Sequence, residues 1–243
     1  MKLSLYVSYI SFCLYCSSSL FGSSFTYALS DFTSDLDGWG GGADGEISTV
    51  GAINAGDPYM RKEIDLDGGG GYKARMVVRR PTDPTVIASD PWLGDYISKG
   101  IQRVELDVKN SSESDTVFLR LAISNVANPQ ISTGTWWVST TYYNLSPEGQ
   151  WEHVSFNLLE SEMQRVGTVN SDTPGTDSFE ETLSNLRGFR FISNGNGYSA
   201  IGAEYSGVIG MDNIELIAIP EPNATAIILA VVAGFIVFSR CRI

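Results

Sequence analysis

The chain has 243 residues, with 28 Asp and Glu against 16 Lys and Arg, one histidine, three cysteines and a formal net charge of −12. That acid excess argues against nucleic acid or anionic lipid as a partner, because phosphate contacts need clustered Lys and Arg. Cys13, Cys16 and Cys241 all lie near the ends, so the chain between them has no disulfide framework, thiolate metal site or cysteine nucleophile.

At the N-terminus, Lys2 precedes a mostly apolar stretch, Leu3 to Cys16, then small residues and Thr26-Tyr27-Ala28. A positive start, an apolar segment and small residues before a cut make residues 1–28 a secretory signal peptide. Lipidation at Cys16 is the alternative, but Leu14-Tyr15 before it lacks the small residues that such a signal needs.

The region 29–219 reads as all-β. Val104, Leu106 and Val108 alternate with Glu105, Asp107 and Lys109. Val117, Leu119, Leu121 and Ile123 share a face, as do Val154, Phe156 and Leu158. Ile209 and Met211 precede Ile214 and Leu216, with Asn213 and Glu215 turned the other way. Clusters such as Gly68 to Gly71, Asn110-Ser111-Ser112 and Asn194 to Gly197 punctuate these runs. One short helix is expected over 179–186, where Ser178 and Glu181 have capping-box spacing. Short strands with no βαβ alternation and no fixed repeat predict a two-sheet sandwich.

Beyond it stand Pro220-Glu221-Pro222, an uncharged run over 224–238, and Arg240 and Arg242. The run would span about 22 Å as a helix, short for a bilayer crossing, yet it has none of the polar side that a core helix shows. The two arginines would hold their end on the cytoplasmic side, leaving everything before the run outside.

This order of parts resembles the PEP-CTERM sorting signal of exported bacterial proteins. The resemblance implies handling by an exosortase-type enzyme, a transient inner-membrane intermediate, and final delivery to the cell surface or matrix. The body resembles the galactose-binding-like and laminin-B-like jelly rolls. Asp31-Phe32 with Asp37-Gly38-Trp39, Trp92 to Ile97, Gly149 to Phe156, Thr182 to Phe191 and Gly210 to Leu216 carry that likeness. Gly40-Gly41-Gly42, the tetraglycine at Gly68 to Gly71 and Thr33 after Phe32 depart from it. The fold expected is a two-sheet jelly-roll sandwich of the kind used for carbohydrate or matrix binding. A shared fold does not by itself establish a function.

For chemistry, a Ser-His-Asp triad would have to use His153, and no Gly-x-Ser-x-Gly elbow accompanies it. His153 reads instead as a residue of a polar strand face, beside Trp151, Ser155 and Asn157. A glycosidase needs two carboxylates about 5–10 Å apart, which spacing in sequence cannot place. The resemblance implies one structural calcium ion at Asp31 and Asp212, with Asp35 or Asp37 as helpers. The competing reading has these aspartates capping turns. No cofactor is required.

Carbohydrate binding rests on aromatics. Trp39 and Trp151 match structural positions of the resembled fold. In the segment 136–143, Trp136, Val138, Thr140 and Tyr142 take one face and Trp137, Ser139, Thr141 and Tyr143 the other. One set enters the core, and the other offers two aromatics about 20 Å apart along a strand unless a loop such as 161–177 covers them. The candidate sugar-binding residues are therefore Trp136, Trp137, Tyr142 and Tyr143. The leading expectation is a non-enzymatic surface or matrix protein that binds polysaccharide. A secreted hydrolase and a purely structural envelope protein are the alternatives.

Overall fold

The computed structural model describes residues 23–39, 45–64, 75–79, 90–127, 134–168, 171–203 and 205–219. The signal segment up to residue 22, the Gly40 and Gly68 glycine runs, the Pro220-Glu221-Pro222 motif, the apolar run 224–238, Arg240 and Arg242 lie outside these residues. Compactness separates 26–217 from a second unit made of the two ends, 1–25 and 218–243.

Two sheets form from the alternating segments. The first has the order β2 (Gly45–Ser48), β3 (Tyr59–Ile64), β13 (Gly207–Ala218), β5 (Ile101–Asn110) and β9 (Glu152–Asn157), with β1 (Phe25–Ser30) also paired to β13. The second has the order β11 (Ser171–Pro174), β10 (Met163–Thr168), β7 (Trp136–Ser139), β6 (Val117–Ser124), β12 (Gly188–Ser193) and β4 (Arg75–Arg79), with β8 (Tyr143–Leu145) also on β6. Phe25–Ser30 is a paired strand, so a signal cut after Ala28 would divide β1.

The expected inward sets, Val104-Leu106-Val108, Val117-Leu119-Leu121-Ile123 and Val154-Phe156-Leu158, are all buried between the sheets. In β13 the period slips by one residue. Ile209 and Met211 are buried, Asn213 adopts a left-handed backbone with φ 46°, and Ile214 and Leu216 are buried again. A bulge of this kind returns the apolar set to the same face, and Asn is among the few residues that tolerate its backbone.

Aromatic rings close the space between the sheets. Phe156 of β9 meets Tyr143 of β8 at 5.3 Å and Phe191 of β12 at 6.3 Å. Trp39 stacks on Phe191 and meets Trp92 edge-on at 5.0 Å, and its indole N–H donates to Ser30 Oγ at 3.0 Å. Trp151 is not in this core. It lies half-buried on the outer face of the first sheet, against Tyr59, donating to the Gly51 carbonyl at 2.9 Å.

Helix α1 (Phe179–Ser184) starts where expected, with both capping-box bonds between Ser178 and Glu181 in place. It ends two residues early, because Leu186 leaves it to bridge Gly94. Its Phe179 and Thr182 face the inner end of the second sheet, where they meet Trp137.

Phe191 touches both the Trp39 cluster and Phe156, so Phe191→Ala is expected to cost about 3–5 kcal/mol. Urea unfolding measures this, and a loss below about 1 kcal/mol would mean that the two sheets do not depend on this contact.

Candidate functional site

The register of the second sheet decides what its aromatics can do. Trp137 lies opposite Ile123 and Arg165, and Ser124 and Val166 flank Trp136. Trp137 therefore points to the interior side, where it is 5% exposed. Phe179 packs on it at 5.1 Å, Thr182 Oγ1 accepts its indole N–H at 3.1 Å, and the Arg165 guanidinium lies 6.0 Å from its ring. Trp136 points the other way but is buried as well. On the outer face it packs with Ala122, Val138, Val166, Ile192 and Ala200 in a second apolar cluster, with Val126 against it. The backbone crosses closely here, since a Cβ on Gly188 would stand 2.9 Å from the Trp136 ring.

Tyr143 staples the sheets together. Its ring lies on Phe156, and its hydroxyl donates to the Ser155 carbonyl at 2.6 Å and accepts from the Ser155 N–H at 3.1 Å. The expectation that Trp136, Trp137 and Tyr143 offer faces to a sugar is thus corrected. Alternation assigned them to opposite faces, but both faces of this sheet are covered. Tyr142 is the member of the set that remains open, at 43% exposure.

Tyr142 leads to residues that the sequence analysis passed over. Arg120, on the outer face of β6, is only 3% exposed. Its Nε donates to the Asn194 carbonyl at 2.7 Å, and its Nη1 donates to the carbonyls of Ser139 at 2.5 Å and Thr140 at 2.7 Å. The guanidinium carbon lies 4.9 Å from the ring centre of Tyr142 and 4.9 Å from that of Tyr198. Tyr198 is also 43% exposed, and Tyr142 leans edge-on against Phe118 at 5.6 Å. Gly195 lets the loop carrying Tyr198 close over Phe118, because a Cβ there would come within 2.7 Å of the Phe118 ring. Burial pulls the Arg120 pKa below its ordinary value, and the two tyrosines oppose that shift. The ensemble is a fixed cation between two half-open aromatic rings.

The candidate metal residues lie toward the first sheet. Asp31 Oδ1 accepts from the Thr33 N–H at 3.1 Å and the Thr33 hydroxyl at 2.9 Å, which holds its pKa below the usual value. Asp212, 2% exposed, accepts from the Asn213 N–H at 2.8 Å. Burial raises its pKa to about 6, against that hydrogen bond, and the charges of Asp57, Asp107 and Asp31 add to the rise. Asp37 is engaged by Ser30 and by Asp35. Among the described residues no group of three or more His, Cys, Asp or Glu is placed to hold a metal ion. His153 stands exposed on the first sheet's outer face, its Nδ1 2.9 Å from Asp107 Oδ1 and its Nε2 3.9 Å from Glu105.

No family model matches the chain, and no curated protein matches it. Among solved structures it is similar to CtCBM11 at 21% identity and a TM-score of 0.45, covering 81% of this chain and 95% of that one. It is similar to TmCBM27, described as a carbohydrate-binding module with specific mannan recognition, at 14% identity and a TM-score of 0.34 over 81% of this chain and 98% of that one. It is also similar to an exo-beta-agarase at 13% identity and a TM-score of 0.46, covering 82% of this chain but 25% of the enzyme.

A carboxyl whose folded-state pKa lies above its unfolded value stabilises the fold in its protonated form. The contribution of Asp212 is therefore complete below about pH 4 and is lost as pH rises through about 6. Asp212→Asn is expected to stabilise the chelator-treated protein by up to about 3 kcal/mol near pH 7.5, with the gain shrinking toward pH 4. Urea unfolding across that range measures it, and a gain independent of pH would contradict the assignment.

Proposed function

We propose that this chain is a non-catalytic exported protein that binds polysaccharide on the outer face of its second sheet, the whole being a galactose-binding-like jelly-roll sandwich. The observation that carries the reading is the pair of half-exposed rings, Tyr142 and Tyr198, held on either side of the Arg120 guanidinium. Sugar rings present flat C–H faces that pack on aromatics, and their hydroxyls need fixed hydrogen-bond partners between those faces. Three backbone carbonyls hold Arg120, so the donor is in place before ligand arrives and little ordering cost falls on binding.

Delivery to the surface or matrix is the second part of the proposal. The 1–28 signal, the Pro220-Glu221-Pro222 motif, the run 224–238 and the basic Arg240 and Arg242 support sorting by an exosortase-type enzyme through a transient membrane intermediate. The pairing of β1 favours a signal cut ahead of Phe25. A structural calcium ion is the third part: Asp31 and Asp212, close enough to feel each other's charge, would share it with backbone carbonyls.

A glycan panel probed with the full chain tests the binding. Tyr142→Ala and Tyr198→Ala should each weaken it about tenfold, the loss of roughly 1.4 kcal/mol of stacking, whereas Tyr→Phe at either position should leave it nearly intact. Saturable binding to no glycan would favour the purely structural envelope role, and turnover of a glycan would favour the hydrolase. Millimolar calcium should raise the unfolding temperature of the wild-type protein and leave Asp212→Asn unchanged. An equal rise in both would remove Asp212 from the site.

A further inference from the structure

Given that the Tyr142 and Tyr198 face binds polysaccharide, we infer that its ligand is anionic: a polymer whose sugar carboxylates or sulfate esters meet the open edge of the Arg120 guanidinium. The bonding of Arg120 carries this. Its three hydrogen bonds leave from Nε and Nη1 and end on neutral backbone carbonyls. Nη2 makes none, and it is not among the buried side-chain atoms left without a partner, so it still reaches solvent. Among the described residues, the groups that shift its charge equilibrium, beyond burial itself, are the two tyrosines, and no carboxylate is among them.

Two other arginines of this acidic chain, both on the first sheet, have acids beside them. Arg61 pairs with Glu46 at 2.6 Å and also reaches Glu63, and Arg103 pairs with Glu105 at 2.7 Å. Taking a guanidinium out of water without a counter-charge is costly, and carbonyl dipoles offset only part of that cost. An anionic group at Nη2 supplies the missing charge by a charge-assisted hydrogen bond, while the tyrosine rings take the sugar faces.

The net charge of −12 does not oppose this locally. Glu105, Asp107 and Asp212 belong to strands of the first sheet, the other layer of the sandwich. Packed sheets stand about 10 Å apart, so those acids are in a different layer from Arg120, and among the described residues none of them is a cause of its pKa shift.

The test uses the full chain with four polymers: polygalacturonate, the same polymer after reduction of its carboxyls to alcohols, dextran sulfate and plain dextran. At least one anionic member should bind about tenfold or more tightly than its neutral counterpart, and raising salt from about 50 to about 300 mM should weaken that binding several-fold. The two pairs separate a carboxylate from a sulfate ligand. Arg120→Lys should lose most of the preference for the anionic member. If that variant fails to fold, the comparison of native with reduced polymer decides without any mutation. Equal affinity for charged and neutral members overturns the inference and leaves polysaccharide binding standing. Failure of both anionic polymers to bind also overturns it, while the wider glycan panel still judges the underlying reading.

Discussion

Leu119, Leu121 and Ile123 fill the space between the sheets, while Ala122 on the same strand packs outward against Trp136, Val138 and Ile192. The second sheet is therefore apolar on both sides and has to be covered twice. The first sheet covers one side. Chain that is not sheet covers the other: Val126 in the turn after β6 and Ala200 in the turn after β12. The close approach at Gly188 follows from the same requirement, because Trp136 needs the room that a side chain there would occupy.

Where that outer cover ends, the apolar surface has to meet water, and Arg120 stands at the boundary. Its stem lies along the sheet while its head reaches the carbonyls of two different turns, those of Ser139 and Thr140 and that of Asn194. A planar head with five donors serves such a place better than the point charge of a lysine. The same head gives Tyr142 and Tyr198 something to lean on, so two rings from loops far apart in sequence are held on one spot. The proposed binding face is thus a by-product of closing the second apolar layer.

Much of the architecture was legible in the residues. The inward sets of β5, β6 and β9 follow from period two, and the slip at Asn213 was visible as a break between Met211 and Ile214. The capping box at Ser178 announced α1. The fate of Trp136 and Trp137 was not legible. Alternation separates them, but it carries no information on whether one side or both will be covered, and the cover comes from Phe179 and Ala200, far along the chain. Arg120 did leave a signal, as a lone cation between Leu119 and Leu121 in an otherwise apolar strand. Tyr198 left none, since it sits in a Gly- and Asn-rich loop with no period. Its position depends on Gly195 allowing that loop down onto Phe118.

Charge is distributed between the layers to match. On the first sheet, Asp107 is shared by His153 and Asn213, and Glu105 by Arg103 and His153, so acids there are answered by neighbours or left at a raised pKa, as at Asp212. His153 is a member of this surface network, with Nδ1 on Asp107 and Nε2 3.9 Å from Glu105 on an open sheet face. On the second sheet the pinned cation has tyrosines where Arg61 and Arg103 have carboxylates. A chain with this much acid could have supplied a carboxylate to Arg120 at little cost. Placing two aromatic rings there instead leaves a charge that something outside the fold can answer, and the thickness of the sandwich keeps the acids of the other layer from answering it first.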